Sequence, residues 1–159
     1  MNREELINLL KEYKENKAKL NIKLKELKTA RIKLNHCDDL ETNIISAYGE
    51  NQDIHSKNKI SNKVLNKVEE NNTKRTKLEE EIKDLEKEVR ELRSKVEAVE
   101  DRLIGLKYKE KEILVAYYVE GRTAEDIGNK LYFQLFGQTR SNRHIQRIIE
   151  KATNKMLKL

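Results

Sequence analysis

The chain has 159 residues, of which 39% are charged, 36% hydrophobic and only 5% aromatic, with no proline and five glycines. So polar a chain cannot fill one spherical core, and its Lys, Glu, Leu and Asn content points to an all-α fold of long helices rather than a sandwich, barrel or parallel sheet. No run of about 18 apolar residues is present, so a membrane is not an expected partner.

The opening residues, Met1 to Glu5, lack the apolar stretch of a signal peptide, and the cytoplasm is the expected compartment. The net charge of +6 is uneven. Residues 1–35 carry ten basic and five acidic side chains, residues 61–106 eleven and twelve, and residues 107–159 eleven and six. A basic end beside a neutral middle suits a polyanionic partner, although a solvated helix face would look the same on charge alone.

Residues 1–34 are expected to form a basic amphipathic helix. Leu6, Leu10, Tyr13, Lys17, Leu20, Leu24, Leu27, Arg31 and Leu34 recur in steps of four and three, the seam of a coiled coil or a helical hairpin. Residues 35–60 break that spacing. They are rich in Asn, Asp, Ser and His, contain Gly49, and are expected to be a polar connector. Within them His36, Cys37, Asp38 and Asp39 are adjacent, which is poor spacing for a metal ion, and His55 stands apart. Cys37 is the only cysteine, so no internal disulfide and no cysteine zinc cluster can form. No metal and no cofactor are expected.

Residues 61–106 form a regular heptad. One set of core positions is Val68, Arg75, Ile82, Val89, Val96 and Leu103; the other is Val64, Asn71, Leu78, Leu85, Leu92, Val99 and Leu106. Mostly β-branched residues at a with leucine at d favour a parallel two-stranded coiled coil. The favoured expectation is a homodimer through Leu78, Ile82, Leu85, Val89, Leu92, Val96, Val99 and Leu103. It would set Lys74 near Glu79, Glu88 near Arg93 and Lys95 near Glu100 of a second copy, with Glu81 and Glu86 repelling. The alternative folds the first helix back on this one within a single chain.

The chain changes character near residue 106. Six of the eight aromatic residues lie between Tyr108 and Phe136, and four of the five glycines between Gly105 and Gly137. Residues 107–159 are therefore expected to be a small compact domain. A first helix buries Ile113, Leu114, Ala116, Tyr117 and Tyr118 and ends at Gly121. Thr123 to Asp126 fits a capping box that opens a short helix through Ile127, where Gly128 would allow a neighbouring helix to come close. Ser141 or Thr139 can cap a last helix with a buried stripe of Ile145, Ile148, Ile149, Ala152 and Met156 or Leu157.

Three helices in this order, the last one basic, match a helix-turn-helix, whose final helix enters the major groove. Arg143, Gln146 and Asn142 have the chemistry to read base edges. Arg122, Thr123, Arg140, Arg147 and Lys151 suit phosphate, and Ser141 stands at the start of the same helix. The alternative is a small helical protein-binding domain.

Leu103-Ile-Gly-Leu106, then KEKEILVAYYVEGRTAEDIGNKL, then SNRHIQRIIEKATNKML resemble region 4 of bacterial sigma factors. The resemblance rests on Glu112-Ile113, Glu120-Gly121, Asp126-Ile127-Gly128, Arg143, Gln146 and Ala152. In layout the whole chain is similar to phage and prophage transcriptional regulators of the ArpU/RinA type. The resemblance implies a helix-turn-helix regulator, expected to activate phage genes by binding double-stranded DNA, with RNA polymerase as a further partner. The segment Tyr132 to Arg140 is longer than the usual turn and holds Tyr132, Phe133 and Phe136. Either the preceding helix extends to Gly137 or the segment forms its own apolar lobe. With the longer connection, Arg140 and Asn142 are the alternative base readers.

The chain lacks an aromatic-rich basic helix of the kind that melts promoters, so a complete sigma factor is not expected. No phosphate loop and no serine or cysteine with a credible base partner is present, and an enzyme is not expected. A phage DNA-packaging subunit of the small terminase kind and a coiled-coil adaptor without DNA binding remain the other readings.

Overall fold

The computed structural model describes the backbone of residues 1–49 and 62–159, and the side chains of residues 1–37 and 66–159. All regular structure among the described residues is helical, and none of these helices is long and apolar enough to cross a membrane. Helix α1 is Arg3–Gly49 and α2 is Asn62–Ile104. Helix α3 starts as Tyr108–Leu114 and runs on as a π-helical turn, Val115–Val119. Helix α4 opens with Ala124–Asp126, widens to a π-helical turn at Ile127–Leu131 and closes with Tyr132–Phe136. Helix α5 is Asn142–Met156.

Asn2 starts α1 with a reciprocal cap. The Glu5 amide donates to Asn2 Oδ1 at 2.8 Å, and the Asn2 amide donates to Glu5 Oε2 at 2.9 Å. These bonds satisfy donors that a helix start leaves without intrahelical partners. The helix then continues past residue 34, so the connector expected at 35–60 is helical to Gly49. Irregular apolar spacing does not end a helix. Without proline, polar side chains can simply face solvent, and propensity alone resists them weakly. Residues 50–60 of that expected connector lie outside the described residues, as do the side chains of Asp38, Asp39, His55 and Val64.

The fold contains two compact units, Asn21–Arg90 and a discontinuous one made of Met1–Leu20 with Glu91–Leu159. The boundary expected at residue 106 therefore moves. In the Asn21–Arg90 unit, α1 and α2 run antiparallel. Lys23 pairs with Glu88 at 3.1 Å, Arg31 with Glu86 at 2.7 Å, and Asn71 Nδ2 donates to the Cys37 carbonyl at 3.1 Å. Leu27, Ala30, Leu85 and Val89 are buried, with Leu78 and Ile82 half-buried.

In the discontinuous unit, Val99 and Leu103 pack in one cluster with Leu6, Leu10, Leu106, Leu114, Ala152 and Met156. Val96 is buried and Leu92 half-buried. The seam expected to face a second copy is thus covered inside one chain in both units. The charge pairs change with it: Glu88 meets Lys23, Glu100 meets Lys17 at 2.7 Å, and Glu79 meets Arg75 at 3.1 Å. A heptad specifies that a seam must be covered, not which helix covers it, and α1 brings a complementary stripe. That stripe also slips by one residue at two places. Asn16 and Ala30 are buried where Lys17 and Arg31 were expected, and these two cations instead stay exposed and pair with Glu100 and Glu86.

A second cluster of the discontinuous unit joins Ile113, Ala116, Ala124, Ile127, Tyr132, Ile145 and Ile149. Adjacent Ile113 and Leu114 serve different clusters, being about 100° apart around α3. Helix α5 spans both: Ile145 and Ile149 enter the second cluster, Ala152 and Met156 the first. Ile148 is half-buried, and Thr153, absent from the expected stripe, is fully buried with its hydroxyl donating to the Ile149 carbonyl at 2.8 Å.

Candidate nucleic-acid interface

Two glycines with positive φ set the chain directions here. Gly121 (φ 71°) ends the α3 turn, and the Arg122 amide donates back to the Ala116 carbonyl at 3.0 Å. Thr123 then caps α4, its hydroxyl accepting from the Asp126 amide at 3.2 Å. Only half of the expected capping box forms, because the Asp126 carboxylate pairs forward with Lys130 at 2.7 Å.

Of the two possibilities for residues 132–140, the structure takes the helical extension. Tyr132–Phe136 continues α4, and Gly137 (φ 68°) stops it, with its amide donating to the Phe133 carbonyl at 2.8 Å. Gly128 accepts a close approach, as expected: Ile145 of α5 comes near it, and the backbone ahead of that helix comes nearer still. The Arg140 amide donates to the Gly128 carbonyl at 3.0 Å, and a Cβ at Gly128 would overlap the Arg140 carbonyl oxygen. This contact fastens the connection just ahead of α5.

Tyr132 packs against the same connection. It is buried, its hydroxyl takes a hydrogen bond from Lys109 Nζ, and the Arg140 guanidinium lies 5.7 Å from its ring centroid. Burial raises the phenol pKa, but hydrogen bonds from Lys109 and Arg140 outweigh it and hold the group below its ordinary value. Arg140 Nη2 also donates to Gln138 Oε1 at 2.8 Å. Ser141 takes the cap position of α5 with no side-chain capping bond; its carbonyl accepts from the His144 and Ile145 amides at 3.0 and 3.1 Å.

With Ile145, Ile149, Ala152, Thr153 and Met156 turned inward, Asn142, Arg143, Gln146, Arg147, Glu150 and Lys151 are exposed on α5. The expected contact residues divide. Asn142 and Gln146 line an open groove of about 840 Å³ together with Arg122 and Thr123. Tyr117, Tyr118 and Glu125 share it, and so do Ile7 and Lys11 of α1. Arg147 and Lys151 line a second hollow with Glu150, Asn154, Lys155 and Lys158. Arg143 lies one turn before Arg147 on the outer face, while Arg140 and Ser141 stay exposed in the connection.

Arg122 Nε is held by Glu120 at 2.8 Å, which limits where its guanidinium can reach. Thr123 uses an oxygen lone pair in the cap but keeps its own proton to donate. Lys155 pairs with Glu110 at 3.3 Å. Burial raises the pKa of that carboxyl, but the Lys107 amide and the Lys155 ammonium more than offset it and hold Glu110 below the usual carboxylate value. Arg143 and Arg147 have no carboxylate partner among the described residues, and Lys151 makes no ion pair but adds to the positive field at Glu110. No three His, Cys, Asp or Glu side chains converge as a metal site among the described residues. Lys11 was not among the expected contacts, and no local signal marks it; only the packing of Leu6 and Leu10 brings it here.

No family model, no curated protein and no solved structure matches this chain.

Proposed function

We propose that the protein is a sequence-specific DNA-binding regulator of transcription in which α4 and α5 act as a helix-turn-helix. The observation that carries this reading is the outer face of α5. Arg143, Arg147 and Lys151 stand exposed there with no ion pair of their own among the described residues, opposite a buried stripe of Ile145, Ile149, Ala152, Thr153 and Met156. Arginine can give two hydrogen bonds to guanine, and Gln146 and Asn142 can do the same for adenine. Arg147, Lys151, Arg122 and Thr123 are assigned to phosphates, which position the protein without reading sequence. Activation of phage genes, with RNA polymerase as a second partner, follows from the sigma region 4 resemblance and belongs to the proposal. A homodimer is not required, since the α2 seam is covered within the chain.

Selection of bound fragments from a random duplex library by the full-length protein tests the reading. Enrichment of a common site is expected, with affinity falling steeply between about 50 and about 200 mM salt as counterions are released. Absence of duplex binding at low salt overturns it and leaves a helical adaptor.

A further inference from the structure

The groove beside α5 receives a side chain from the far end of the sequence. Ile7 and Lys11 of α1 line it together with Arg122, Thr123, Asn142 and Gln146. Leu6 and Leu10, both fully buried, hold this stretch of α1 against Val99, Leu103, Leu114, Ala152 and Met156. The position of Lys11 is therefore set by the same core that seats α5.

The charges around the groove give Lys11 its importance. Arg122 is neutralised by Glu120, 2.8 Å away, and Glu125 adds a carboxylate. Without Lys11 the groove would be net negative and would repel a phosphodiester. Farther along α1, Lys17 is tied to Glu100 at 2.7 Å, Lys19 to Glu15 at 2.6 Å and Lys23 to Glu26 at 3.0 Å. Lys11 has no carboxylate partner among the described residues. Asn142 and Gln146 lie on the flank of α5 next to its outer face with Arg143 and Arg147, about 100° around the helix axis. A duplex laid on the outer face would therefore lie beside the residues of α5 that line this groove.

We infer that Lys11 of α1 is a phosphate-contacting residue of the DNA interface, so that the surface which binds DNA is assembled from both ends of the chain. This rests on the DNA-binding reading above and adds a contact that the helix-turn-helix segment does not contain. Glu125, which also lines the groove, opposes the same phosphate.

The test measures binding of a fluorescent mixed-sequence duplex to full-length protein between about 50 and about 200 mM salt. Lys11→Ala should lower affinity and make the plot of log affinity against log salt shallower by about 0.9, so that the affinity ratio across that salt range shrinks roughly threefold. Lys11→Arg should keep the wild-type slope. Glu125→Gln should move affinity the opposite way, upward. Lys14→Ala, an exposed lysine of α1 outside the groove, should bind as wild type does. If Arg147→Ala weakens binding while Lys11→Ala and Lys14→Ala both match wild type, the inference is overturned and the DNA-binding reading stands. If wild type binds no duplex at low salt, both fall together.

Discussion

The two compact units use their charged residues differently. In the Asn21–Arg90 unit, cations are tied across the helix pair: Lys23 to Glu88 and Arg31 to Glu86, over a seam of Leu27, Ala30, Leu85 and Val89. In the discontinuous unit, two apolar clusters close around fully buried Leu6, Leu10, Ile113, Leu114, Ile127, Ile145 and Met156. There Lys155 of α5 pairs with Glu110, but Arg143, Arg147 and Lys151 of the same helix make no ion pair among the described residues. Charges matched within the chain serve pairing of its own helices. Charges left unmatched on a rigid apolar platform can serve an outside partner. An exposed ion pair contributes only about 0–1 kcal/mol, so the pairs of the first unit orient its helices more than they hold them together.

The sharpest way to break this contrast is to weaken each platform in turn. Leu10→Ala should cost about 2–5 kcal/mol, because a fully buried leucine leaves a cavity, and it should abolish DNA binding by loosening the seat of α5. Leu85→Ala, in the other unit, should lower stability while sparing DNA affinity. Thermal unfolding by circular dichroism with duplex titration checks both. Equal loss of binding in the two variants would remove the functional distinction between the units.

Next in size is Gly128→Ala. The added methyl meets the Arg140 carbonyl, so the connection must shift, at about 1–3 kcal/mol. Wild-type stability and binding in that variant would show that the approach does not fix the start of α5.

Base reading sharpens the contrast further. Arg143→Ala should lose about 1–3 kcal/mol of discrimination at one base pair while leaving nonspecific binding nearly intact. Site selection with Arg143→Ala and Arg140→Ala decides the register. An unchanged preference in the first variant and a lost one in the second would move reading to Arg140 and Asn142.

The smallest effect is a pH dependence. The folded state holds the Glu110 carboxyl below its ordinary value through the Lys107 amide and Lys155, against burial. A depressed carboxylate adds stability above its unfolded-state pKa, and that increment is lost as pH falls through the folded value. Acid titration of stability should therefore show a shallower loss in Glu110→Gln than in wild type. Identical acid profiles would mean that the pair with Lys155 contributes nothing.

Much of the local structure was legible in the sequence. The apolar spacing in the segments that became α3 and α5, the cap at Thr123 and the stop at Gly121 act between residues a turn apart, so neighbours suffice to read them. Thr153 escaped because a hydroxyl looks polar until it is seen to bond back to Ile149 within its own helix. The helical state of residues 35–49 escaped because polar residues in a proline-free stretch are equally compatible with loop and with exposed helix.

By itself the sequence determined an all-helical chain, a seam along α2 that must be covered, and a basic last helix with one apolar stripe. Only the tertiary structure decided what covers the seam, where the compact units divide and that Lys11 stands beside Asn142 and Gln146. The physical reason is range. Periodicity and capping are written between residues three or four apart, whereas the choice among apolar partners depends on which surfaces fit once the chain has folded back. Leucines at positions 6 and 10 could have met a second copy as readily as residues 99, 103 and 114, and the packing of one chain settled which they meet.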